Sequence, residues 1–239
     1  MIRTRQDLRN LIRRTGFDVV RFRGDFAQHQ QHLLRSRGID ALADVGANEG
    51  QYASRARLIG YRRSIVSFEP SPIAAGRLQD RARSDSRWTV HSVAIGAVNA
   101  RTQLNVSANS VSSSLLEMTE AHERAEPRSA YVSTVTVSVR PLDDFADQLG
   151  ARVWLKIDVQ GGEMAVLDGA ARVLESTEVI QAELSLTELY RTAPTALELL
   201  TRLASAGFRL VNIERGFTDP ASGALLQADG LFVRDGSGQ

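Results

Sequence analysis

The sequence predicts an α/β protein built on a mostly parallel sheet. From residue 39 onward, short apolar runs alternate with longer segments of helical periodicity, which is the pattern of consecutive βαβ units. The first apolar run enters a glycine-bearing turn, Asp44–Gly50, and the second ends at Glu69. Since parallel strands joined by right-handed crossovers end at the same edge of a sheet, we expect this turn and this carboxylate to face one ligand.

Composition limits the class of protein further. The 239 residues are enough for one large domain, or for a domain with an extension. Hydrophobic residues make up 43% and charged residues 24%, so a packed core is expected. The formal net charge of +1 gives no indication of a nucleic-acid or anionic-membrane partner. The absence of cysteine excludes disulfides, thiolate metal sites and cysteine nucleophiles.

Targeting signals are missing as well. Met1–Arg14 is too highly charged for a signal peptide, and no apolar run approaches the ~18 residues of a membrane span. We therefore expect a cytoplasmic protein with no membrane span.

Residues 1–38 are predicted to form an N-terminal helical extension of the main domain, which spans residues 39–239. Apolar residues at helical spacing favour helices over 4–15 and 25–37. The arginines of this extension favour a solvated face, with a contact to the active site or to an acidic partner as the alternative. A homodimer is compatible with this organisation.

The elements of the main domain follow in a regular order. The first three strands and their two helices form a βαβαβ unit, in which Ser71 can cap the second helix and Pro72 suits its first turn. The predicted strands are 39–45, 64–69 and Trp88–Val93, and the first helix covers about 50–60.

The order changes after the third strand. Thr102–Ser107 and Val132–Val139 alternate like strands with one exposed face. The stretch between them is polar and rich in serine. Because so long a loop in a compact domain is usually functional or disordered, residues 108–134 are predicted to be a lid or a substrate-facing insertion.

The second half returns to alternating strands and helices. Arg152–Val159 is rich in apolar residues, which indicates a central fourth strand. The connection 216–230 contains Asp219-Pro220 and Ser222-Gly223, which favour a loop or hairpin and therefore an antiparallel final pair. The remaining predicted elements are helices at Pro141–Leu149, Gly161–Leu174 and Pro194–Ala206, and strands at Glu178–Ser185, Arg209–Ile213 and Leu231–Arg234.

The turn Asp44–Gly50 favours one class of adenosine cofactor. Its glycines are spaced Gly46-x-x-x-Gly50, unlike the G-x-G-x-x-G of dinucleotide sites, and Glu49 would repel a pyrophosphate. No Walker loop occurs either. S-adenosylmethionine has no phosphate and carries a cationic sulfonium with an amino-acid tail. Acidic and amide groups are suited to binding such a ligand. Glu69 can accept hydrogen bonds from its ribose diol.

The same residues are part of a larger set of motifs. The set comprises Asp44-Val-Gly-Ala-Asn-Glu-Gly50, Phe68-Glu69-Pro70-Ser71-Pro72, Val93-Ala94-Ile95-Gly96, Ser112-Ser113-Ser114-Leu115, Leu142-Asp143, Leu155–Glu163, Val166–Ala170 and Ile180–Glu183. Through this set, the chain resembles the FkbM-type S-adenosylmethionine-dependent methyltransferases over about residues 39–185. The family often has glutamate where this chain has Gln160. The first 38 residues and those after 190 carry no family signal.

The resemblance implies a Rossmann-like seven-stranded methyltransferase sheet, mostly parallel with the last strand antiparallel. It also implies O-methylation, typically of a sugar or polyketide hydroxyl. The methionine end of the cofactor would be lined by Asp44, Gly46, Asn48 and Gly50, and the ribose would be bound by Glu69. The adenosine would lie by Pro70 and Ser71, with its adenine near Ser92, Val93 and Ala94. Asp158 would complete the cofactor site.

Methyl transfer to a hydroxyl needs a group that removes the hydroxyl's proton. Asp158 ends the fourth strand next to the cofactor turn, and Lys156 lies on the same face of that strand. Since an unpaired buried charge is costly, Lys156 should pair with Asp158 or with Glu183, which ends the fifth strand. A structural ion pair is one interpretation. The sharper one is that Asp158 orients or deprotonates the acceptor while Lys156 tunes or positions it.

Three further groups are left open by the sequence. Glu163 begins a helix, where a carboxylate is favourable without any role in chemistry. Together with Asp158 and Glu183 it could also bind Mg²⁺, although nothing requires a metal. His91 is expected near adenine or merely packed. His122, in the insertion, is either a surface residue or the best histidine candidate for the base, brought in by a closing lid.

The leading hypothesis is an S-adenosylmethionine-dependent O-methyltransferase that acts on a hydroxyl of a sugar or glycan, such as an oligosaccharide, polysaccharide or glycolipid. The same chemistry on a polyketide or other small-molecule hydroxyl is the first alternative. An NAD-dependent oxidoreductase would share the sheet and Glu69, but should carry G-x-G-x-x-G. A non-catalytic binding module that keeps the cofactor pocket is the last alternative.

Overall fold

A computed structural model describes residues 26–236 as two sheets flanked by helices. The strands are β1 (Ala41–Val45), β2 (Ser64–Phe68), β3 (Trp88–His91), β4 (Ala94–Ile95), β5 (Ala100–Ser107), β6 (Tyr131–Arg140), β7 (Val153–Ile157), β8 (Thr177–Ser185), β9 (Phe208–Arg215) and β10 (Gln227–Arg234). The α-helices are α1 (Phe26–Ser36), α2 (Gln51–Leu58), α3 (Pro72–Ala82), α4 (Glu120–Ala125), α5 (Glu163–Asp168), α6 (Ala171–Ser176) and α7 (Ala196–Ser205). Two 3₁₀ segments are Pro127–Ser129 and Leu142–Gln148.

The main sheet holds seven strands in the order β3-β2-β1-β7-β8-β10-β9. β1 pairs in parallel with β2 and β7, and the pairs β2–β3 and β7–β8 are parallel too. β10 lies antiparallel between β8 and β9. This arrangement confirms the predicted sheet, mostly parallel with an antiparallel last strand. It also puts the carboxyl ends of β1, β2, β7 and β8 at one edge.

Two apolar layers cover the main sheet. One face carries side chains such as Leu42 and packs against α1, α2 and α3. The other face carries side chains such as Leu155 and packs against α5, α6, α7 and the second 3₁₀ segment. Helix α1 confirms the second predicted helix and packs through Phe26 and Leu33. The predicted helix over 4–15 lies outside the described residues.

A smaller sheet has the strand order β4-β6-β5. β5 and β6 pair antiparallel and confirm the two strands predicted on either side of the insertion. β4 adds to β6 in parallel through Ala94 and Ile95. The third strand of the main sheet therefore ends at His91, earlier than the predicted Val93, since the chain leaves that sheet to reach β6.

The insertion between β5 and β6 is folded and fixed to the segment after β8. It contains α4 and a 3₁₀ turn. Met118 forms a β-bridge with Tyr190, and the backbone N–H of Thr119 donates to the Leu189 carbonyl at 3.0 Å. Within residues 26–236, no helix is both long and apolar enough to cross a membrane.

The prediction of a single helix over Gly161–Leu174 is wrong. Two short helices, α5 and α6, occupy these residues because the chain bends at Gly169. The Gly169 carbonyl accepts from the backbone N–H of Asp143 at 3.0 Å, and a Cβ on Gly169 would lie 2.0 Å from the carbonyl oxygen of Gly96. The Asp143 carboxylate then accepts from two backbone N–H groups in the first turn of α6, at 3.0 and 2.9 Å.

The helix predicted at Pro141–Leu149 is a 3₁₀ segment, Leu142–Gln148. Its last turn is closed by an i to i+3 hydrogen bond, from the Leu149 N–H to the Ala146 carbonyl at 3.0 Å. This short element carries the chain from β6 to β7.

We expect Gly169→Ala to destabilise the protein by ~1–3 kcal/mol, because the added methyl would overlap the Gly96 carbonyl. Gly76→Ala is the matched control: Gly76 is an exposed residue inside α3 with open space around it, so alanine there should stabilise by up to ~1 kcal/mol. Urea unfolding of both variants measures the difference. Equal stabilities would contradict the close approach at Gly169.

Candidate active site

A cavity of about 600 Å³ opens at the carboxyl edge of the main sheet, a volume typical of small-molecule sites. Its walls come from the turn after β1, the end of β2, the loop after β7, the smaller sheet and the start of the insertion. The predicted site residues that line it are Gly46, Asn48, Glu69, Pro70, Val93, Ala94, Lys156 and Asp158. Those that do not line it are Asp44, Gly50, Ser71, Ser92, Glu183 and His122.

The turn after β1 is shaped by two glycines in left-handed conformations. Gly46 (φ 74°) lies so close to the β7 loop that a Cβ would stand 1.7 Å from the carbonyl oxygen of Asp158. Gly50 (φ 84°) precedes α2, and a Cβ there would lie 2.7 Å from Leu78 Cδ1. Both positions therefore need glycine. The first joins two walls of the cavity, and the second supports the turn from behind.

Asn48 and Glu69 form the polar part of this wall. The backbone N–H groups of Asn48 and Ser71 donate to the two carboxylate oxygens of Glu69, each at 2.8 Å. Burial raises the pKa of Glu69 to about 6, although both hydrogen bonds oppose this rise. The side-chain oxygen of Asn48 is buried and has no hydrogen-bond partner within residues 26–236. A carboxylate and an unpaired acceptor thus stand side by side.

The residues predicted near adenosine divide into two groups. Pro70, Val93 and Ala94 line the cavity and give it an apolar corner. Ser71 is buried behind Glu69, and Ser92 lies outside, where its hydroxyl accepts from a glutamine of α3 at 3.3 Å. The serines therefore support this corner without lining it.

Lys156 is the buried cation at the centre of the site, 6% exposed. Its Nζ lies 3.3 Å from Asp44 Oδ1 and 3.4 Å from Asp158 Oδ2, and it donates to the Gly46 carbonyl at 2.8 Å. Burial alone would lower the pKa of Lys156, but the carboxylates of Asp158 and Asp44 outweigh burial and hold the pKa above its usual value. Lys156 therefore keeps its proton in the neutral range and acts as a cation, not as a base.

Gln160 joins the carboxylates of Asp158 and Glu183. Its Nε2 donates to Asp158 Oδ1 and to Glu183 Oε2, both at 2.8 Å, and its Oε1 accepts from the Tyr190 hydroxyl at 2.6 Å. Burial, and after it the charge of Asp158, raises the pKa of Glu183 well above its usual value. The Asp158 side chain is 37% exposed and lines the cavity. Asp158 is therefore the carboxylate of this pair that a substrate can reach.

Glu163 serves the turn after β7. It is buried, and its carboxylate accepts from the backbone N–H of Gly161 at 3.1 Å. Burial raises the pKa of Glu163 to about 7, against the backbone hydrogen bonds. It does not line the cavity. Within residues 26–236, no three His, Cys, Asp or Glu side chains are grouped so as to hold a metal ion, so the Mg²⁺ hypothesis finds no donor set there.

Both predicted histidines are packed against aromatic rings. His91 lies 4.6 Å from the ring of Phe145, which agrees with the packed alternative. His122 is 3% exposed, and its ring contacts Tyr190 at 5.1 Å and Phe217 at 5.3 Å. The surface interpretation of His122 is therefore wrong, and burial lowers its pKa. A role as general base stays a prediction, one that would need the insertion to move.

Comparisons with known protein sequences identify the family of this chain. The model of the methyltransferase FkbM domain matches residues 44–210, more than half of the chain. The chain belongs to this family. A curated relative, the 2-O-methyltransferase NoeI of Sinorhizobium fredii, is 28% identical over 159 residues, which are 62% of this chain and 65% of that protein. The match thus spans just under two thirds of the relative's length.

Solved methyltransferase structures are similar at low identity. An rRNA methylase from Streptococcus thermophilus aligns with a TM-score of 0.49 and 8% identity, covering 90% of this chain and 99% of that one. A candidate S-adenosylmethionine-dependent methyltransferase from Listeria monocytogenes aligns with a TM-score of 0.48 and 9% identity, covering 87% and 98%. Membership of the FkbM family stands on the sequence match, not on these likenesses.

The FkbM family and the fold imply S-adenosylmethionine as methyl donor, and the residues present fit it. Glu69 offers a carboxylate for the ribose, Asn48 offers an unpaired oxygen, and Val93 and Ala94 offer an apolar surface. None of these four groups is a cation. This wall therefore offers no counter-charge for a pyrophosphate, whereas Lys156 and Arg55 line other parts of the cavity. The missing G-x-G-x-x-G disfavours the NAD alternative.

The polar part of the cavity that lies beyond β7 was not predicted from the sequence. Gln181 on β8 lies in register with Lys156, and its Oε1 accepts from Tyr52 at 2.8 Å and from Gln30 at 2.6 Å. Its Nε2 donates to Asp229 at 3.3 Å. Gln181 is a polar residue in an apolar strand, the signal that singled out Lys156, so it could have been found. Gln30 and Tyr52 could not have been found this way, because they lie on α1 and α2, far from Gln181 in the chain, and reach it only in the folded protein.

We expect Lys156→Met to destabilise the protein by ~3–5 kcal/mol, because it leaves the buried Asp44 without its counter-charge. Adding Asp44→Asn to the same chain should recover part of that loss, since asparagine carries no charge. Urea unfolding at neutral pH measures both. A single variant as stable as the wild type would show that the buried pair contributes nothing.

We expect the affinity for S-adenosylmethionine to fall as the pH is lowered through about 6, the pKa of Glu69. The ribose diol donates to an ionised carboxylate, whereas protonation of Glu69 removes an acceptor, so binding is favoured above this pKa. Below it the affinity should fall by up to ~tenfold per pH unit.

Calorimetry between about pH 5 and pH 8 measures this dependence. Glu69→Gln, the matched control, should bind more weakly at neutral pH and should lose the pH dependence. A wild-type curve as flat as that of the variant would contradict the assignment of Glu69 to the ribose.

Proposed function

We propose that the protein transfers a methyl group from S-adenosylmethionine to a hydroxyl of a sugar or glycan. The observation that carries this proposal is the carboxylate of Asp158. It lines the cavity, is 37% exposed, and stands 3.4 Å from the buried ammonium of Lys156. A hydroxyl acceptor needs such a fixed proton acceptor next to the methyl donor, and the bound cofactor would supply an electrophilic methyl.

The chain's own residues have separable tasks in this reaction. Lys156 holds one oxygen of Asp158, and Gln160 donates to the other. Asp158 is thereby oriented to accept the hydroxyl proton, a task that typically contributes ~10²–10⁴-fold to the rate. Holding the acceptor oxygen in line with the methyl contributes further through positioning.

Two observations support a hydroxylated acceptor. The curated relative, matched at 28% identity, is named as a 2-O-methyltransferase. One end of the cavity is lined by amide, carboxylate, phenol and guanidinium groups, which hydrogen-bond well to a ring of hydroxyls. These residues are Gln30, Tyr52, Arg55, Gln181, Glu214 and Asp229.

The alternative acceptor, a polyketide or other small-molecule hydroxyl, is favoured by the opposite wall. That wall is apolar and comes from the smaller sheet and the insertion. Its residues include Val98, Leu104, Val111, Leu115 and Leu116. We also propose that residues 108–134 are the substrate-facing insertion, since residues 110–116 contribute to this wall. A homodimer, a cytoplasmic location and the absence of a nucleic-acid partner stay predictions.

A methyl-transfer screen tests the proposal. Isotope-labelled S-adenosylmethionine is offered with mono- and oligosaccharides and with polyketide alcohols, each with and without EDTA. We expect transfer to a saccharide oxygen and no loss of rate in EDTA. Transfer only to polyketides would replace the acceptor class. Tight cofactor binding with no transfer to any acceptor would favour the non-catalytic module.

In the same assay, Asp158→Asn should lower kcat by ~10²–10⁴-fold, because asparagine cannot accept the proton. Its Kd for S-adenosylmethionine should stay within about threefold of wild type. Asp168→Asn is the matched control: Asp168 is an exposed residue at the end of α5 whose carboxylate lies 3.7 Å from Arg202. An undiminished kcat for Asp158→Asn would remove its assignment as the base.

A further inference from the structure

Gln160 occupies an unusual backbone position in the turn after β7, two residues beyond Asp158. Its φ is 56°, in the left-handed region, and the next residue, Gly161, has φ 101°. Such a conformation is costly for a residue with a side chain and persists where the surroundings hold it. The turn sends the Gln160 side chain back between the ends of β7 and β8.

The orientation of the Gln160 amide is fixed by its partners. Nε2 has two hydrogens, and each meets a carboxylate, Asp158 on one side and Glu183 on the other. Oε1 accepts from the buried Tyr190 hydroxyl at 2.6 Å. A flipped amide would place its oxygen against both carboxylates, so one orientation satisfies all three contacts.

The same residue is tied to the wall of the cavity. The Gln160 carbonyl accepts from the Ser114 hydroxyl at 2.7 Å, and the same hydroxyl oxygen accepts from the Leu116 N–H at 3.0 Å. A Cβ on Gly161 would stand 3.0 Å from Leu116 and 3.1 Å from Tyr190 Cβ, so these segments are closely packed. The start of the insertion is therefore built onto the turn that carries Gln160.

We infer that Gln160 is the positioning residue for acceptor deprotonation: its amide separates and orients the carboxylates of Asp158 and Glu183 and fixes them relative to the cavity wall. This inference deepens the proposed function, because it rests on Asp158 as the base. Gln160 acts through Asp158 and not on the acceptor itself.

The surrounding charges favour a neutral donor at this position of this chain, where the family often has glutamate. The ionisable groups around the pair are Lys156 on β7, Asp44 on β1, Glu163 on α5, Asp229 on β10 and the Tyr190 phenol. Most of these groups are acids, and Lys156 is the cation among them. A neutral double donor lowers the repulsion between Asp158 and Glu183 without adding charge, whereas a glutamate at 160 would make a third adjacent carboxylate.

Gln160→Glu tests this inference, because it keeps the shape and the backbone cost but replaces both donors by a charge. Gln160→Met removes the donors without adding charge. Gln103→Glu is the control for charge alone, since Gln103 is exposed on β5 and does not line the cavity, with its amide bonded to Thr136 at 3.1 Å. The carboxyl ¹³C shifts of Asp158 and Glu183 are followed against pH, without cofactor or acceptor, and the pH profile of kcat is recorded for active variants.

In Gln160→Glu, we expect the titration midpoint of the carboxylate cluster to rise by about one pH unit or more. The acid limb of the kcat profile should move by the same amount, so that activity lost at neutral pH returns at higher pH. Gln160→Met should lower kcat about tenfold with a smaller shift, and Gln103→Glu should change neither readout.

An unchanged titration and an unchanged acid limb in Gln160→Glu, with only a lower melting temperature, would overturn the inference and leave Gln160 a structural residue. Failure of the proposed function is distinct: the wild type would then transfer no methyl group to any hydroxyl acceptor, whatever the titration shows.

Discussion

The burial of one ammonium group governs the geometry of this site. Lys156 is enclosed between β1 and β8, so its charge is tolerated only with opposite charges and carbonyl oxygens around it. Asp44 and Asp158 supply the charges at 3.3 and 3.4 Å, and the Gly46 carbonyl accepts at 2.8 Å. One cation thus holds a carbonyl of the turn after β1 and an oxygen of the proposed base, Asp158. The proposed donor side and the proposed acceptor side of the cavity therefore share one fixed group, the Lys156 ammonium.

That fixed group belongs to a polar row across the sheet. Ser67, Asp44, Lys156 and Gln181 are in register on neighbouring strands and on one face. Two residues earlier on each of these strands, the same face of the sheet is apolar and carries Leu42, Trp154 and Val179. Buried polar groups need partners, and satisfied networks favour one arrangement over its alternatives. The row therefore determines where the apolar core ends and where the cavity begins, and Gln30 and Tyr52 converge on its end at Gln181.

What could be predicted from the sequence is what depends on residues near one another in the chain. The turn after β1, the carboxylate after β2 and the lysine inside an apolar strand are local patterns, and the sheet order follows from how such units connect. The errors involve distant segments. Gly169 breaks a helix because it meets Gly96, and His122 is buried because Tyr190 and Phe217 cover it. No periodicity in either segment records a contact of that kind.

The two proposed sides of the cavity also differ in how their residues are held in place. The proposed methyl-donor side is built from β1, β2 and β7, whose mutual positions are set by continuous pairing in the sheet. The proposed acceptor side combines Glu214 and Asp229, which lie on the paired strands β9 and β10, with α1 and the insertion, which lie outside the main sheet. A substitution in the insertion can therefore reshape the acceptor wall without moving the sheet. The exception is the Gln160 turn, where Ser114 and Tyr190 bind the residue that also holds Asp158. Substitutions that change acceptor specificity by altering this turn should therefore alter the rate of methyl transfer as well as the fit of the acceptor.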